Sequence, residues 1–392
     1  MEMSKKNFVQ TWEREISPIL GIEDGARIRI GSKNPDRSGF ENGEMDYSPE
    51  NLFDFTLRNP KRCVFYTPES IANLQAGRVR VLNIDFDFKK IIDEAIVHSV
   101  YPSDLIHEIP LELEAMGIPP NLAVFSGGGL HLYYALKDRT RDFPEASALY
   151  LGLRDLIGGD STAFTPRSYL RTIPLSFNAK YTHERPEGRR ALPVYHNPEL
   201  YTVEILKTKL FDKGVDLNAN MEAFNLESEL IAAATEITYK RPDVFTAQSI
   251  SDALKNPRCK GLWISGKKSG DISHSGNEWS LGLALLATGD YFGERFGEIE
   301  AILECYNHGR GIEGRKWRER YLIPMLATKG RVQAYLKKNR RYSAIRDIAR
   351  ITRLDAAIVR KSLRYLELKK LIKSKERKGG KRRDIQYRLV KT

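Results

Sequence analysis

The chain has 392 residues, 41% of them hydrophobic, which is enough for two or three packed domains. No apolar run approaches the ~18 residues of a membrane span and MEMSKKNF lacks an apolar signal region, so a cytoplasmic protein without a membrane partner is expected. Cys63, Cys259 and Cys305 are too few and too scattered for a disulfide framework or a structural zinc site, and the net charge of +12 favours a polyanionic partner.

In chain order, residues 1 to about 200 alternate strand-like runs with helical segments. The strand-like runs are CVFYT (63–67), VLNIDFDF (81–88), LAVF (122–125) and LHLYYAL (130–136). PEASALYLGLRDLIGG (144–159) reads as a helix whose closing glycine pair suits a C-cap. The pattern predicts an α+β or α/β fold. Within an extended VLNIDFDF, Leu82, Ile84, Phe86 and Phe88 share one face, and Asn83, Asp85 and Asp87 share the other. Two carboxylates about 6 Å apart repel by roughly 3 kcal/mol at an effective dielectric near 20. Solvent or a bound cation must offset that. Taken alone, D-x-D serves equally well as the wet face of a half-buried strand.

LAVFSGGGLHLYYAL (122–136) runs a strand into Ser126-Gly127-Gly128-Gly129 and out into another strand. The glycines permit a tight turn and close backbone approach to a ligand, and His131 and Tyr133 share a face of the returning strand. Such a turn can form an anion-binding nest beside the imidazole; an ordinary hairpin with an incidental histidine fits the same letters. GGDSTAFTPRSYLRTIPLSFNAK (158–180) adds Asp160 after the helix, then Arg167, Arg171, Asn178 and Lys180. Carboxylates hold divalent metals while Arg and Lys hold phosphates, and phosphoryl transfer needs both; a basic surface loop is the simpler account of this stretch by itself.

Together, in order, Asp85-Phe86-Asp87, Ser126-Gly127-Gly128-Gly129-Leu130-His131 and Asp160 resemble the signature of the archaeo-eukaryotic primase superfamily, in its plasmid and phage primase-polymerase group. That signature is D-x-D or D-x-E, then S-G-x-G-x-H, then a third acid, and it covers about residues 60–185 here. Group members follow the third acid with a segment resembling R-x-P-G-T-x-N-x-K. Arg171 to Lys180 departs from it by one extra residue before Pro174 and by lacking the glycine. The resemblance implies an RRM-like mixed sheet with helices. It further implies that Asp85, Asp87 and Asp160 bind two Mg²⁺ or Mn²⁺ ions and carry catalysis. Ser126, Gly127, Gly129, His131, Arg167, Arg171 and Lys180 would bind the nucleotide. Asp155 is close enough in sequence to replace Asp160 as the third ligand.

From about 201 to 330 strand signals fade, and EWSLGLALLATGDYF and GEIEAILECYN show helical spacing. Trp279, Trp317 and Tyr321 in this stretch suit a packed core better than a base-stacking platform. GLWISGKKS (261–269) nearly spells a phosphate-binding P-loop, but Lys268 stands where the hydroxyl residue is due. Residues 331–392 carry 22 Lys and Arg against 5 Asp and Glu, a net of +17, so the preceding 330 residues carry −5. Helices at Ile345–Ile351 and Ala356–Leu368 and a hairpin after them are similar to a winged helix-turn-helix, with Lys378, Lys381, Arg382 and Arg383 on a DNA-contacting wing.

The expected organisation is a catalytic domain at 1–205, a helical domain at 206–335 and a winged helix at 336–392. The expected function is a DNA-dependent primase-polymerase of a plasmid or virus, acting on single-stranded template and primer with NTPs or dNTPs beside a separate helicase. Two alternatives keep the fold: a gap-filling or repair polymerase that cannot start chains, and a DNA-binding initiator or regulator with an inactive core.

Overall fold

The computed structural model describes residues 3–34, 41–88, 91, 103–159, 171–179, 189–237, 247–266, 274–339, 342–376 and 385–390. Two compact units emerge, Met1–Met221 and Glu222–Thr392.

The first unit is α+β and holds two four-stranded sheets. One contains β1 (Arg27–Lys33), β2 (Glu41–Asp46), β3 (Cys63–Tyr66) and β7 (Arg171–Thr172) in the order β2-β1-β3-β7. The other contains β4 (Val81–Asp87), β5 (Leu122–Phe125), β6 (Gly129–Ala135) and β10 (Leu192–His196) in the order β10-β5-β6-β4. A ribbon of β8 (Phe177–Asn178) and β9 (Arg189–Arg190) completes the set. Every ladder among these strands is antiparallel, so among the described strands no mixed sheet of the kind the resemblance implied forms; the parallel pairing present is the single bridge Leu136–Tyr201. The reason is local at β5 and β6, which a tight hairpin joins, and a hairpin can only be antiparallel.

The second sheet is covered on both faces. Leu82 and Ile84 of β4 join Leu130, Leu132 and Tyr134 of β6 in one core. Helices α3 (Ser103–Ala115), α4 (Phe143–Ile157) and α5 (Val203–Asp212) fill that core with Ile106, Leu149, Leu153, Leu206 and Leu210. On the opposite face Val81, Tyr133 and Ala135 pack with Tyr66 of β3, with Phe8 of α1 (Lys5–Thr11) and with Leu52 of α2 (Pro49–Arg58). The alternation read from VLNIDFDF therefore sets which core each side chain enters. Because Leu206 and Leu210 belong to this core, the first unit continues past residue 205.

Helix α4 is fixed at both ends by its own sequence. The Asp142 carboxylate accepts the Glu145 N–H at 2.9 Å, and the chain leaves through Gly158 at φ +77°. Burial alone would raise the pKa of Glu145. Hydrogen bonds from the Lys207 ammonium (2.8 Å), the Arg141 N–H (3.0 Å) and the Arg141 guanidinium (3.0 Å) outweigh it and hold the carboxyl at about 2, below its ordinary 4.5. The folded value lies below the unfolded one, so the stabilisation is complete above about pH 4.5 and is lost as pH falls toward 2. A melting series from pH 6 to pH 3 should show a loss of order 2–3 kcal/mol that Glu145→Gln removes. Identical acid limbs for both proteins would contradict this.

The second unit takes α6 (Leu217–Ala233) from Glu222 onward, α7 (His274–Thr288), α8 (Arg331–Lys338), α9 (Ile345–Thr352) and α10 (Ala356–Leu368). Strands β11 (Ser343–Ala344), β12 (Ile372–Glu376) and β13 (Ile385–Leu389) form a sheet in the order β11-β13-β12. One apolar cluster runs from Ala223 through Leu281, Leu285 and Leu326 to Val332, Leu336, Val359, Leu363 and Ile372. The helical segments and the C-terminal elements thus share a core. A chain cut near Gly330 would open it. Trp279, Trp317 and Tyr321 lie against this core, and the Arg310 guanidinium covers Trp317 at 4.3 Å. GLWISGKKS begins inside the helix Pro257–Ser265 and not after a strand, which removes the remaining case for a P-loop. No helix among the described residues is long and apolar enough to cross a membrane.

Candidate active site

Among the described strands β4 is the edge of its sheet, and it presents Asp85 and Asp87 near its end. Pairing with β6 sets Asn83 opposite Tyr133, Asp85 opposite His131 and Asp87 opposite Gly129. The polar face of β4 is no plain wet surface. Asn83 is fully buried, and the strand opens toward Asp85, whose side chain is 37% exposed, and the intermediate Asp87.

Ser126 to Gly129 form the turn that delivers His131. The Ser126 N–H donates to the Gly129 carbonyl at 2.9 Å and its hydroxyl reaches the same oxygen at 3.2 Å. Gly127 has φ +102°, which suits the first central position of a two-residue hairpin and disfavours any side chain. At Gly129 the close approach is to β4 itself. A Cβ there would lie 2.2 Å from the Phe86 carbonyl oxygen, so only glycine lets β4 and β6 meet beside Asp87. Buried Arg189 donates to the Gly127 carbonyl at 2.7 Å, and Asn178 donates to the Ser126 carbonyl at 2.6 Å. The β8–β9 ribbon therefore holds the glycine turn by its backbone.

His131 is 5% exposed, with Nε2 3.9 Å from an Asp85 carboxylate oxygen. Its Nδ1 is buried without a hydrogen-bond partner among the described residues. Burial, and then the nearby charge of Arg171, lowers its pKa from 6.5 to about 3, so the ring is neutral at physiological pH. Arg171 is itself buried. Its Nε donates to Asn83 Oδ1 and its Nη2 to the Asn83 carbonyl at 3.1 Å, which fixes a guanidinium against β4 two residues before Asp85.

The structure thus gathers Asp85, Asp87, Ser126, Gly127, Gly129, His131 and Arg171 in one place. Asp160, Arg167 and Lys180, with Lys378, Lys381, Arg382 and Arg383, lie outside the described residues. Gly159 is the last described residue before Asp160. A Cβ on it would meet Ile84 at 2.4 Å and the Asp85 carbonyl at 3.5 Å, so α4 hands the chain on directly beside the acidic strand. Asp155 does not join Asp85 and Asp87 in a three-ligand cluster; among the described residues no such cluster forms, and Asp155 takes a hydrogen bond from Arg154 Nε at 2.8 Å. Sequence reasoning missed Arg189 and the anchoring role of Asn83. Both read as ordinary polar residues until the fold brings them to the turn and to Arg171.

No family model matches the chain, and no curated protein matches it. Among solved structures, the AEP domain of the cyanophage S-2L primase-polymerase is 16% identical and covers 52% of this chain and 97% of its own, with a TM-score of 0.38. The catalytic domain of primase RepB′, solved in complex with initiator DNA, is 13% identical over 53% of this chain and 95% of its own, with a TM-score of 0.34. Primase RepB′ itself is 13% identical over 92% of this chain and 99% of its own, with a TM-score of 0.37. Scores this low leave the site to be read from its own residues.

Proposed function

We propose that the first unit is a nucleotidyltransferase, a primase-polymerase of a mobile element that joins nucleotides on single-stranded DNA. The observation that carries this reading is the juxtaposition of Asp85 and Asp87 with the Ser126–Gly129 turn and His131 across one strand pair. Partly exposed carboxylates at alternate positions of one strand face supply the hard oxygen donors that Mg²⁺ or Mn²⁺ prefers. Asp85 and Asp87 would hold such ions, with Asp160 as the third ligand carried over from the resemblance. Bound there, the ions would activate a 3′-hydroxyl and neutralise the triphosphate.

The chain's own groups divide the remaining work. Arg171 supplies a fixed positive charge behind the carboxylates, and the neutral His131 can offer a ring N–H to a phosphate oxygen. Arg167 and Lys180 are further phosphate contacts in this reading. In the second unit we read α8, β11, α9, α10, β12 and β13 as a winged helix that anchors DNA, with Lys378, Lys381, Arg382 and Arg383 between β12 and β13 as its wing. A separate helicase would open the template.

Single-stranded template supplied with and without an annealed primer, plus labelled NTPs or dNTPs, tests the reading. Synthesis in both cases supports priming, and synthesis with primer alone supports the gap-filling alternative. No incorporation under either condition would leave the inactive initiator. His131→Ala should weaken triphosphate affinity by roughly tenfold, the worth of about one hydrogen bond to a charged group, and leave template affinity unchanged. Unchanged nucleotide affinity would return His131 to a packing role.

A further inference from the structure

We propose that the basic face of α10 is a docking surface for the phosphate backbone of duplex DNA, and that glutamates of α6 occupy it in this structure. The inference rests on the reading of the C-terminal elements as DNA-binding and adds a competitor built into the same chain. Helix α6 carries Glu222, Glu227 and Glu229 and not one Lys or Arg. All three glutamates meet groups from the end of the chain. Glu222 takes both prongs of Arg364, at 2.6 and 2.7 Å, and Glu229 takes Lys361 at 2.8 Å. Glu227 accepts from Tyr321 at 2.7 Å, Tyr365 at 3.2 Å and Lys329 at 3.3 Å.

These contacts differ in kind. Lys329 is 8% exposed, and burial lowers its pKa; burial alone would raise that of Glu227, but the charge of Lys329 and hydrogen bonds from Tyr321 and Lys329 outweigh it and lower it, so this group is an anchor within the unit. Glu222 and Glu229 instead have side chains 42% and 50% exposed, and their partners are equally open. A carboxylate gripped by both prongs of an arginine sets two oxygens where a phosphate would set its own. Lys361 and Arg364 are one helical turn apart, with Arg360 exposed beside them. The two carboxylates therefore mark two anion positions on a three-cation face. Exposed ion pairs are individually weak, and a polyanion that releases counterions can displace them. The net charge of +17 over residues 331–392 supplies the attraction.

The test is binding of a short labelled duplex to the full chain, followed by anisotropy across a salt series without nucleotide or divalent metal. Glu222→Gln with Glu229→Gln should bind about three- to tenfold more tightly at low salt, with a salt slope steeper by up to about 2. Glu13→Gln with Glu50→Gln removes the same charge from exposed positions of the first unit and should give a smaller gain. Adding Arg364→Ala to the first variant should cancel much of its gain. Unchanged affinity and slope, an equal gain from the control pair, or no duplex binding by any of these proteins would overturn the proposal. Because no synthesis is measured, a chain that never joins nucleotides fails the functional reading alone, and one that primes without this shift fails the inference alone.

Discussion

Asp85→Asn and Asp87→Asn should each lower nucleotide incorporation by roughly a thousandfold while leaving the first unit as stable as before. The size follows from the role: losing a carboxylate that positions catalytic ions forfeits several kcal/mol of transition-state stabilisation, and ~4 kcal/mol is about a thousandfold. The preserved stability follows from the geometry. Both acids sit at the partly exposed end of an edge strand whose core side chains are Leu82 and Ile84, and asparagine keeps their shape while removing mutual repulsion. Incorporation by each variant within tenfold of the natural chain would contradict the role, and a large drop in melting temperature would make the acids structural.

Arg318→Met should destabilise the second unit by about 3–5 kcal/mol, the cost of leaving a buried charge uncompensated. Arg318 Nη1 donates to Glu278 at 2.8 Å, and neither side chain has any exposed surface. The same Glu278 oxygen accepts the Arg310 N–H at 3.2 Å, and Arg318 also reaches the Gly311 carbonyl. This pair ties α7 to the turn after Tyr306 deep inside the unit. Adding Glu278→Gln to Arg318→Met should recover part of the loss, because the orphaned carboxylate is then gone. Thermal unfolding should show a transition lowered by roughly 10 °C for the single variant and by less for the double. A single variant that melts with the natural chain would contradict the account.

The strand-level organisation was legible because local chemistry and tertiary packing agree there. Alternation in VLNIDFDF assigned Leu82 and Ile84 to one core and Asp85 to the other face, and the glycines after LAVF announced a hairpin. The helix expected at Ala356–Leu368 forms with those bounds, and the Asp355 carboxylate caps its start by accepting the Ala357 N–H. The remainder depended on long-range placement. Nothing near Arg171 shows that its guanidinium would lie on Asn83, 88 positions away. His131 carries the letter of a phosphate ligand, yet its neutrality comes from burial that only the folded sheet imposes. The shared core across α7, α8 and α10 was likewise hidden, because amphipathic helices state that they pack and not against what. Nothing within the sequence of α6 shows that Glu222 would meet Arg364 or that Glu229 would meet Lys361.

The central claim is that Asp85 and Asp87 form a divalent-metal centre for nucleotidyl transfer. Mn²⁺ titration followed by electron paramagnetic resonance, with a nucleoside triphosphate present, tests it most directly. The natural chain should remove free Mn²⁺ signal in proportion to protein, and the Asp85→Asn, Asp87→Asn double variant should leave the nucleotide-only signal unchanged. Equal Mn²⁺ uptake by the two proteins would contradict the claim.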